Sequence, residues 1–197
     1  PSLELHSENL RPGDIQMKTV SILDGLSSSN VTCISSDQDG HLWVGTDDGF
    51  NIINNGHIFT FNQYKLENDT LSSRIGNVVA MAVSDHKALI AAESGLLLFD
   101  NKTGTYREIL QNGKTMNVTA IADLADRRGN CYLFDSASNC LFISSVDNCD
   151  LQLVRDFGEN VSYDFGRILV HPDKDDILFF ADDDKGVFTM SISSGKL

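Results

Sequence analysis

Apolar and polar residues alternate in short runs along most of the chain, and the same order of runs returns four times. The clearest copy begins Asn30-Val31-Thr32-Cys33-Ile34-Ser35-Ser36-Asp37, turns at Gln38-Asp39-Gly40, and continues His41-Leu42-Trp43-Val44-Gly45-Thr46. Asp47-Asp48-Gly49 then leads into Phe50-Asn51-Ile52-Ile53, and Asn54-Asn55-Gly56 into residues 57–61. A period of two places alternate side chains on opposite faces of a strand. Asp-Gly and Asn-Gly are tight hairpin signals. The pattern therefore predicts four antiparallel strands in succession.

Later copies open on Asn77, Asn117 and Asn160, each followed by Val, so the starts lie 47, 40 and 43 residues apart. Strands are expected over 77–83, 88–92, 95–100 and 105–109 in the second copy, and over 117–123, 130–135, 140–144 and 150–155 in the third. In the fourth copy Asn160 stands ahead of the first strand, and the expected strands are 165–170, 177–181 and 186–191. Four strands at this spacing are the signature of a propeller blade, a unit too small to bury its apolar faces alone.

The predicted fold is thus all-β: a β-propeller of about four four-stranded blades, small or partial. It forms one domain over residues 1–197, with blades at about 30–62, 77–110, 117–155 and 160–197. The last copy stops one strand short, and an unpaired edge invites association. Residues 14–22, Asp-Ile-Gln-Met-Lys-Thr-Val-Ser-Ile, have the composition of a strand. A closing strand at about 14–23 is expected to complete the last blade of its own chain or of a neighbouring one.

Within the motif, Gly45 is expected to let one sheet approach the next, and Gly49 to supply the positive φ of a tight turn. Gly95 takes the place of Gly49 in the second copy. Trp43 stands mid-strand and should wedge between adjacent blades, where its ring contributes several kcal/mol at roughly 25 cal/mol per Å² of apolar area.

With 197 residues and 41% hydrophobic content, the chain can bury a substantial core. No apolar stretch approaches the roughly 20 residues of a membrane span, so no membrane insertion by this segment is expected. No signal peptide is visible; in an exported protein this would be the mature part. The net charge of −13, from 28 acids against 15 bases, repels phosphate backbones and anionic membrane surfaces, which excludes nucleic acid as a partner.

Catalytic and metal chemistry find little support. His6, His41, His57, His86 and His171 show no pair at metal or acid-base spacing. Asp37-Gln38-Asp39-Gly40 and Asp173-Lys174-Asp175-Asp176 do not extend into full calcium loops. No cofactor is expected. Of Cys33, Cys131, Cys140 and Cys149, the expected register sets Cys131 near Ser144 and Cys149 near Ser145, with Cys140 opposite neither; buried free thiols are expected. Sequons occur at Asn30, Asn68, Asn101, Asn117 and Asn160, three of them the repeat start itself, so blade construction accounts for them rather than glycans.

One constellation points to a ligand. The turns between second and third strands carry Asp47 and Asp48, Glu93, Asp135, and Asp182 to Asp184. In a propeller such turns share one face, so Asp47, Asp48, Glu93, Asp135 and Asp183 are expected to ring the mouth of the channel. The connection over 63–76 adds Tyr64 as a stacking surface and Arg74. Carboxylates accept hydrogen bonds from vicinal hydroxyls, which suits an oligosaccharide.

The run Gly25-Leu26-Ser27-Ser28-Ser29-Asn30-Val31 with Asp39-Gly40-His41-Leu42-Trp43-Val44-Gly45-Thr46-Asp47-Asp48-Gly49-Phe50-Asn51 resembles the two-component regulator propeller repeat. That repeat is found in periplasmic sensor regions of Bacteroides-type hybrid two-component systems. The likeness is partial in the second copy, where Ala92-Glu93-Ser94-Gly95-Leu96 departs from it, and weak beyond. Family members carry two large propellers before an immunoglobulin-like domain, a membrane helix and a histidine kinase. The present chain, with about four repeats where a family propeller has seven, is expected to be a fragment or a short relative. The resemblance implies a non-enzymatic periplasmic sensor domain, here one that senses a carbohydrate; the alternative is a protein-contact scaffold without a small ligand. Homo-oligomerisation, or the remaining blades of a larger propeller, would cover its open ends.

Overall fold

The computed structural model describes residues 18–122, 130–171, 174 and 176–194. Among the described residues, eighteen strands and almost no helix make the protein all-β. The first sheet contains β1 (Val31–Ser36), β2 (Leu42–Thr46), β3 (Gly49–Asn54) and β4 (His57–Phe61), in that order. A short ribbon follows, β5 (Gln63–Tyr64) with β6 (Ser73–Arg74). The second sheet comprises β7 (Val78–Ser84), β8 (Lys87–Ala92), β9 (Gly95–Asp100), β10 (Thr105–Gln111) and β11 (Lys114–Thr115). The third is β12 (Val118–Ala122), β13 (Asn130–Asp135), β14 (Cys140–Ser145) and β15 (Gln152–Asp156), and the fourth β16 (Phe165–Val170), β17 (Ile177–Asp182) and β18 (Gly186–Ser191). All neighbouring strands pair antiparallel, and the four sheets are arranged as the blades of a β-propeller.

The start of the described chain departs from expectation. Residues 14–17 of the expected closing strand lie outside the described residues. The rest is no strand: Ile22–Asp24 is a 3₁₀ turn, and among the described residues the fourth sheet has three strands. Ser21 and Asp24 explain it. The Ser21 hydroxyl accepts from the Leu23 amide at 3.2 Å and the Asp24 carboxylate accepts from the Ser21 amide at 2.9 Å, a reciprocal cap that draws the backbone into a turn. Gly25 ends it at φ 113°. The second sheet also gains a strand, β11, beyond the four expected.

Each blade is registered by the same irregularity. The innermost strands β1, β7, β12 and β16 all carry a bulge near their start, between Val31 and Cys33, Val78 and Ala80, Val118 and Ala120, and Phe165 and Arg167. In the first three blades the bulged residue, Thr32, Val79 or Thr119, faces the next blade. Thr32 donates its hydroxyl to the Val78 carbonyl, and Thr119 donates to the Phe165 carbonyl at 2.9 Å. These threonines are the third residues of two Asn-Val-Thr sequons, which ties the recurring triplet to the inter-blade contact.

Three apolar clusters fill the three junctions. Trp43, Phe50 and Ile52 of the first blade meet Met81, Ile90 and Phe99 of the second; Trp43 stacks on Phe50 at 6.0 Å, and Phe99 stands edge-on to both. Leu89, Leu96 and Leu98 meet Ile121 and Leu133 in the second junction. Phe134 and Leu141 meet Phe165, Ile168 and Phe180 in the third. A methyl on Gly45 would come within 2.5 Å of Cys33 Sγ and 2.9 Å of the Val78 side chain, so the bare backbone sets how closely the first two blades approach. Asp37 closes the turn between β1 and β2, its carboxylate accepting from the His41 amide at 2.9 Å and from Trp43 Nε1 at 3.1 Å.

The other face of the first blade is partly covered by its own lead-in segment. Ser27 exchanges hydrogen bonds with Asn51, both at 2.9 Å, and bonds the Thr46 hydroxyl at 2.8 Å, while Thr60 donates to the Gly25 carbonyl. The four cysteines are free; Cys131, Cys140 and Cys149 are buried and Cys33 is half-buried. Cys131 pairs with Ser144, and the Cys149 amide reaches the Ser145 carbonyl at 2.8 Å, the expected register.

Trp43→Ala removes the largest side chain of the first junction, fully buried, and is expected to lower stability by about 3–5 kcal/mol. Urea denaturation followed by circular dichroism measures it. A loss below about 1 kcal/mol would contradict the junction described.

Candidate functional site

The turns that end β2, β8, β13 and β17 occupy equivalent places, because each follows the strand paired with the bulged inner strand. The backbone fixes the equivalence in three blades: the amides of Asp47, Glu93 and Ser136 donate to the carbonyls of Asn30, Asn77 and Asn117 at 3.2, 2.8 and 3.0 Å. The repeat-start asparagines thus anchor one end of each blade. Asn160 does not share this role; in the fourth blade the Asp164 amide donates to the Asp182 carboxylate at 2.9 Å.

The acids on these turns divide into two kinds. Asp135 and Asp182 are the last residues of their strands and are buried. Asp135 accepts from the Asn117 amide at 2.7 Å and from the Ser138 amide and hydroxyl at 3.2 and 2.5 Å. Asp182 accepts from the amides of Asp164, Asp184 and Lys185. In the first blade Thr46 does the same, its hydroxyl accepting from the Asp48 amide at 3.1 Å. These side chains tie the turn to the blade and do not reach the rim, so Asp135 does not stand where the sequence places it. Hydrogen bonding from the Asp164 amide holds the Asp182 carboxyl below the usual carboxylate range; burial opposes this, and the Lys185 and Asp184 amides reinforce it.

One residue further along, the side chains are free to act. Asp47 is exposed; hydrogen bonds from Ser28 and Asn30 keep its carboxyl low. Asp183 is exposed above Gly166 of the inner strand β16. Asp48 pairs with Arg74 at 2.6 Å, and its bond and charge raise the Arg74 guanidinium. The β5–β6 ribbon delivers Arg74, whose strand position lies opposite Gln63. Glu93 completes the group: its carboxylate lies against Gly76, where a Cβ would meet Glu93 Oε2 at 2.5 Å, and its charge acts on Arg74.

Asp48, Arg74 and Glu93 therefore come together where the first two blades meet. Asp47 stands beside Asp48. Tyr64 is half-buried on the other side of the ribbon, its ring 6.0 Å from Tyr106, and packs on the core of the first junction rather than presenting a face. Gly49 adopts φ 92°, and a Cβ there would overlap the Phe61 carbonyl; Gly95, at φ 119°, would strike the Thr115 side chain at 2.7 Å.

At the fourth blade, Lys185 lies 4.9 Å over the Tyr163 ring and donates to the Ser162 carbonyl, a cation held against an aromatic that the acidic pattern does not single out. The histidines are spread over separate elements: His41 bonds Asp37 at 2.8 Å, His86 bonds Asp85 at 2.5 Å, and His171 stacks on Phe179. His6, Asp173 and Asp175 lie outside the described residues. Among the described residues, no group of three or more His, Cys, Asp or Glu side chains is placed to hold a metal ion, and no helix is long and apolar enough to cross a membrane.

Comparison with known proteins adds the following. Residues 25–48 match the family model described as two component regulator propeller. The extracellular domain of a hybrid two component system from B. thetaiotaomicron is similar in structure, with a TM-score of 0.59 and 16% identity, over 85% of this chain and 21% of that one. PorZ, a bacterial surface component of the type-IX secretion system of Porphyromonas gingivalis, gives 0.55 at 15% identity over 90% and 23%. The RRP9 WD40 repeats give 0.59 at 11% over 85% and 49%. No curated protein matches by sequence. The likeness at these identities is one of fold, and the chain spans about a fifth of the first of these relatives.

Because the Asp182 carboxyl is lowered in the folded protein, its contribution is present above the unfolded carboxylate value of about 3.9 and is lost as pH falls through the lower folded value. Asp182→Asn is expected to lower the melting temperature at neutral pH and to make it less sensitive to acid below about pH 4, whereas Asp183→Ala leaves both unchanged. Melting followed between neutral pH and pH 2 checks this; equal behaviour of the two variants would contradict the division into capping and rim acids.

Proposed function

We propose that this propeller is the non-enzymatic, exported sensor domain of a two-component signalling protein and that it binds a carbohydrate at the rim formed by Asp47, Asp48, Arg74 and Glu93, with Asp183 across the channel mouth. The observation that carries this reading is the Asp48–Arg74 pair. At 2.6 Å the two groups hold each other in place, yet the guanidinium remains 74% exposed and the carboxylate 35%. A fixed donor beside a fixed acceptor matches adjacent sugar hydroxyls, each of which both donates and accepts.

Two further facts support the reading. The matched segment, residues 25–48, runs through the lead-in, β1 and β2 up to Asp48 itself. The fold is that of an extracellular domain of a hybrid two component system. That likeness and the net charge of −13 support an exported domain that faces the periplasm. Because the rim bridges two blades, a bound sugar stiffens the first junction and favours one packing of the blades over another, which is how binding reaches the rest of a signalling protein.

A panel of plant and host oligosaccharides read by thermal shift tests the proposal. A sugar at about 100 times its dissociation constant adds roughly 2.7 kcal/mol, or about 5–10 °C for a chain of this size. The shift is expected with the wild type and lost in Asp48→Ala and Arg74→Ala. Silence across the panel, or a shift that survives both substitutions, contradicts it.

A further inference from the structure

A groove of about 870 Å³ runs over the outer edge of the second blade, between residues 65–69 on the side of the first blade and the turn after β14 on the side of the third. Two cations converge in it. Lys87, which opens β8 at the end away from Glu93, donates to the Asp147 carbonyl at 3.3 Å, and Arg107 of β10 donates to the next carbonyl, that of Asn148, at 3.4 Å. Both also act on the Cys149 thiol of the same turn: burial pushes that thiol up, and Arg107 and Lys87 pull against it. In a chain with 28 acids against 15 bases, neither cation has a carboxylate partner among the described residues. The acids beside them are engaged elsewhere. Asp100 accepts from the Lys102 and Thr103 amides at 2.9 and 3.3 Å, and Glu108 accepts from the Thr115 hydroxyl at 2.9 Å. Glu67, Asp69 and Asp147 also line the groove but are exposed, where water and salt screen their charge. Tyr106 lines it too, with its hydroxyl buried and without a hydrogen-bond partner among the described residues.

We propose that this groove is a second binding site, separate from the rim, which seats a small oxyanion (phosphate, sulfate or carboxylate) between Lys87 and Arg107. Two like charges brought to one turn repel each other, and main-chain carbonyls offset this only in part. An oxyanion that bridges them turns the repulsion into two charge-assisted hydrogen-bonded contacts. The planar guanidinium suits a bidentate grip, and the ammonium supplies a compact charge beside it. Leu66, Leu98 and the Tyr106 hydroxyl lie in the same groove and serve a larger molecule that carries the oxyanion. The overall charge of −13 opposes any anion, so binding rests on this local pair. The two cations belong to the second blade and the carbonyls they hold to the third, so a bound oxyanion sits astride the outside of the second junction.

Thermal shift on the full chain tests this with sodium phosphate and sodium sulfate, against sodium chloride at matched ionic strength. A saturable rise in Tm over chloride is expected, lost in Lys87→Gln and in Arg107→Gln. Lys102→Gln, which removes the same charge from the neighbouring hairpin, should keep it. Phenyl phosphate and glucuronate form a second arm: a shift by either at lower concentration than the inorganic ions, or by either alone, assigns an oxyanion carried on an organic molecule, and equal potency assigns the free ion. The wild type gives an independent reading. Alkylation of Cys149 by iodoacetamide, resolved by peptide mass spectrometry, is expected to slow roughly twofold or more at the same oxyanion concentration, because the bound anion cancels the charges that favour the thiolate. Absence of a saturable shift beyond chloride with all these anions, a shift that survives both Gln variants, or Cys149 reactivity indifferent to the oxyanion would each overturn the proposal.

Discussion

Burial between neighbouring blades is the constraint on which the structure depends. A four-stranded sheet of about thirty residues has two apolar faces and cannot cover either by itself. The chain solves this by repeating one unit so that the leading face of each blade always finds the trailing face of the next. Trp43 and Phe50 against Phe99, Leu96 and Leu98 against Ile121, and Phe134 against Phe165 and Phe180 are one solution with three sets of residues. The bulge repeated in every inner strand, with the Thr32 and Thr119 bonds across it, fixes the register in which those faces meet.

The rim inherits its geometry from this packing. Asp48 belongs to the first blade, Glu93 to the second and Arg74 to the ribbon between them, so their approach is a consequence of the first junction rather than of any local motif. The Asn30, Asn77 and Asn117 carbonyls hold the turns at one height, and the buried Asp135 and Asp182 brace theirs from beneath. Because the site spans two blades, its geometry is tied to their packing, the link on which the proposed sensing role relies.

Period and alternation made the architecture legible in the sequence because both arise from the strands themselves. The positions of β2, β3, β4 and β9 follow from Gly-bearing turns and from strict alternation, and Trp43 announces the junction by its size. What stayed hidden depends on contacts between side chains and backbone. Ser21 and Asp24 cap each other and turn a strand-like composition into a 3₁₀ turn. Asp135 and Asp183 look alike in sequence, yet one ends a strand and is consumed by its turn while the other lies one residue beyond it. Tyr64 reads as an available aromatic until the ribbon folds it against Tyr106. The pairing of Arg74 with Asp48 spans 26 residues and a junction, a distance over which neither periodicity nor turn chemistry carries information.

The central claim is that no blade persists without its neighbour. Trp43 is the chain's one tryptophan, and it lies wholly within the first junction, so its fluorescence reports that contact while far-ultraviolet circular dichroism reports strands everywhere. Urea unfolding followed by both signals is predicted to give a single coincident transition. Strand ellipticity that survives after the tryptophan has become solvent-exposed would show blades standing alone and would contradict the account.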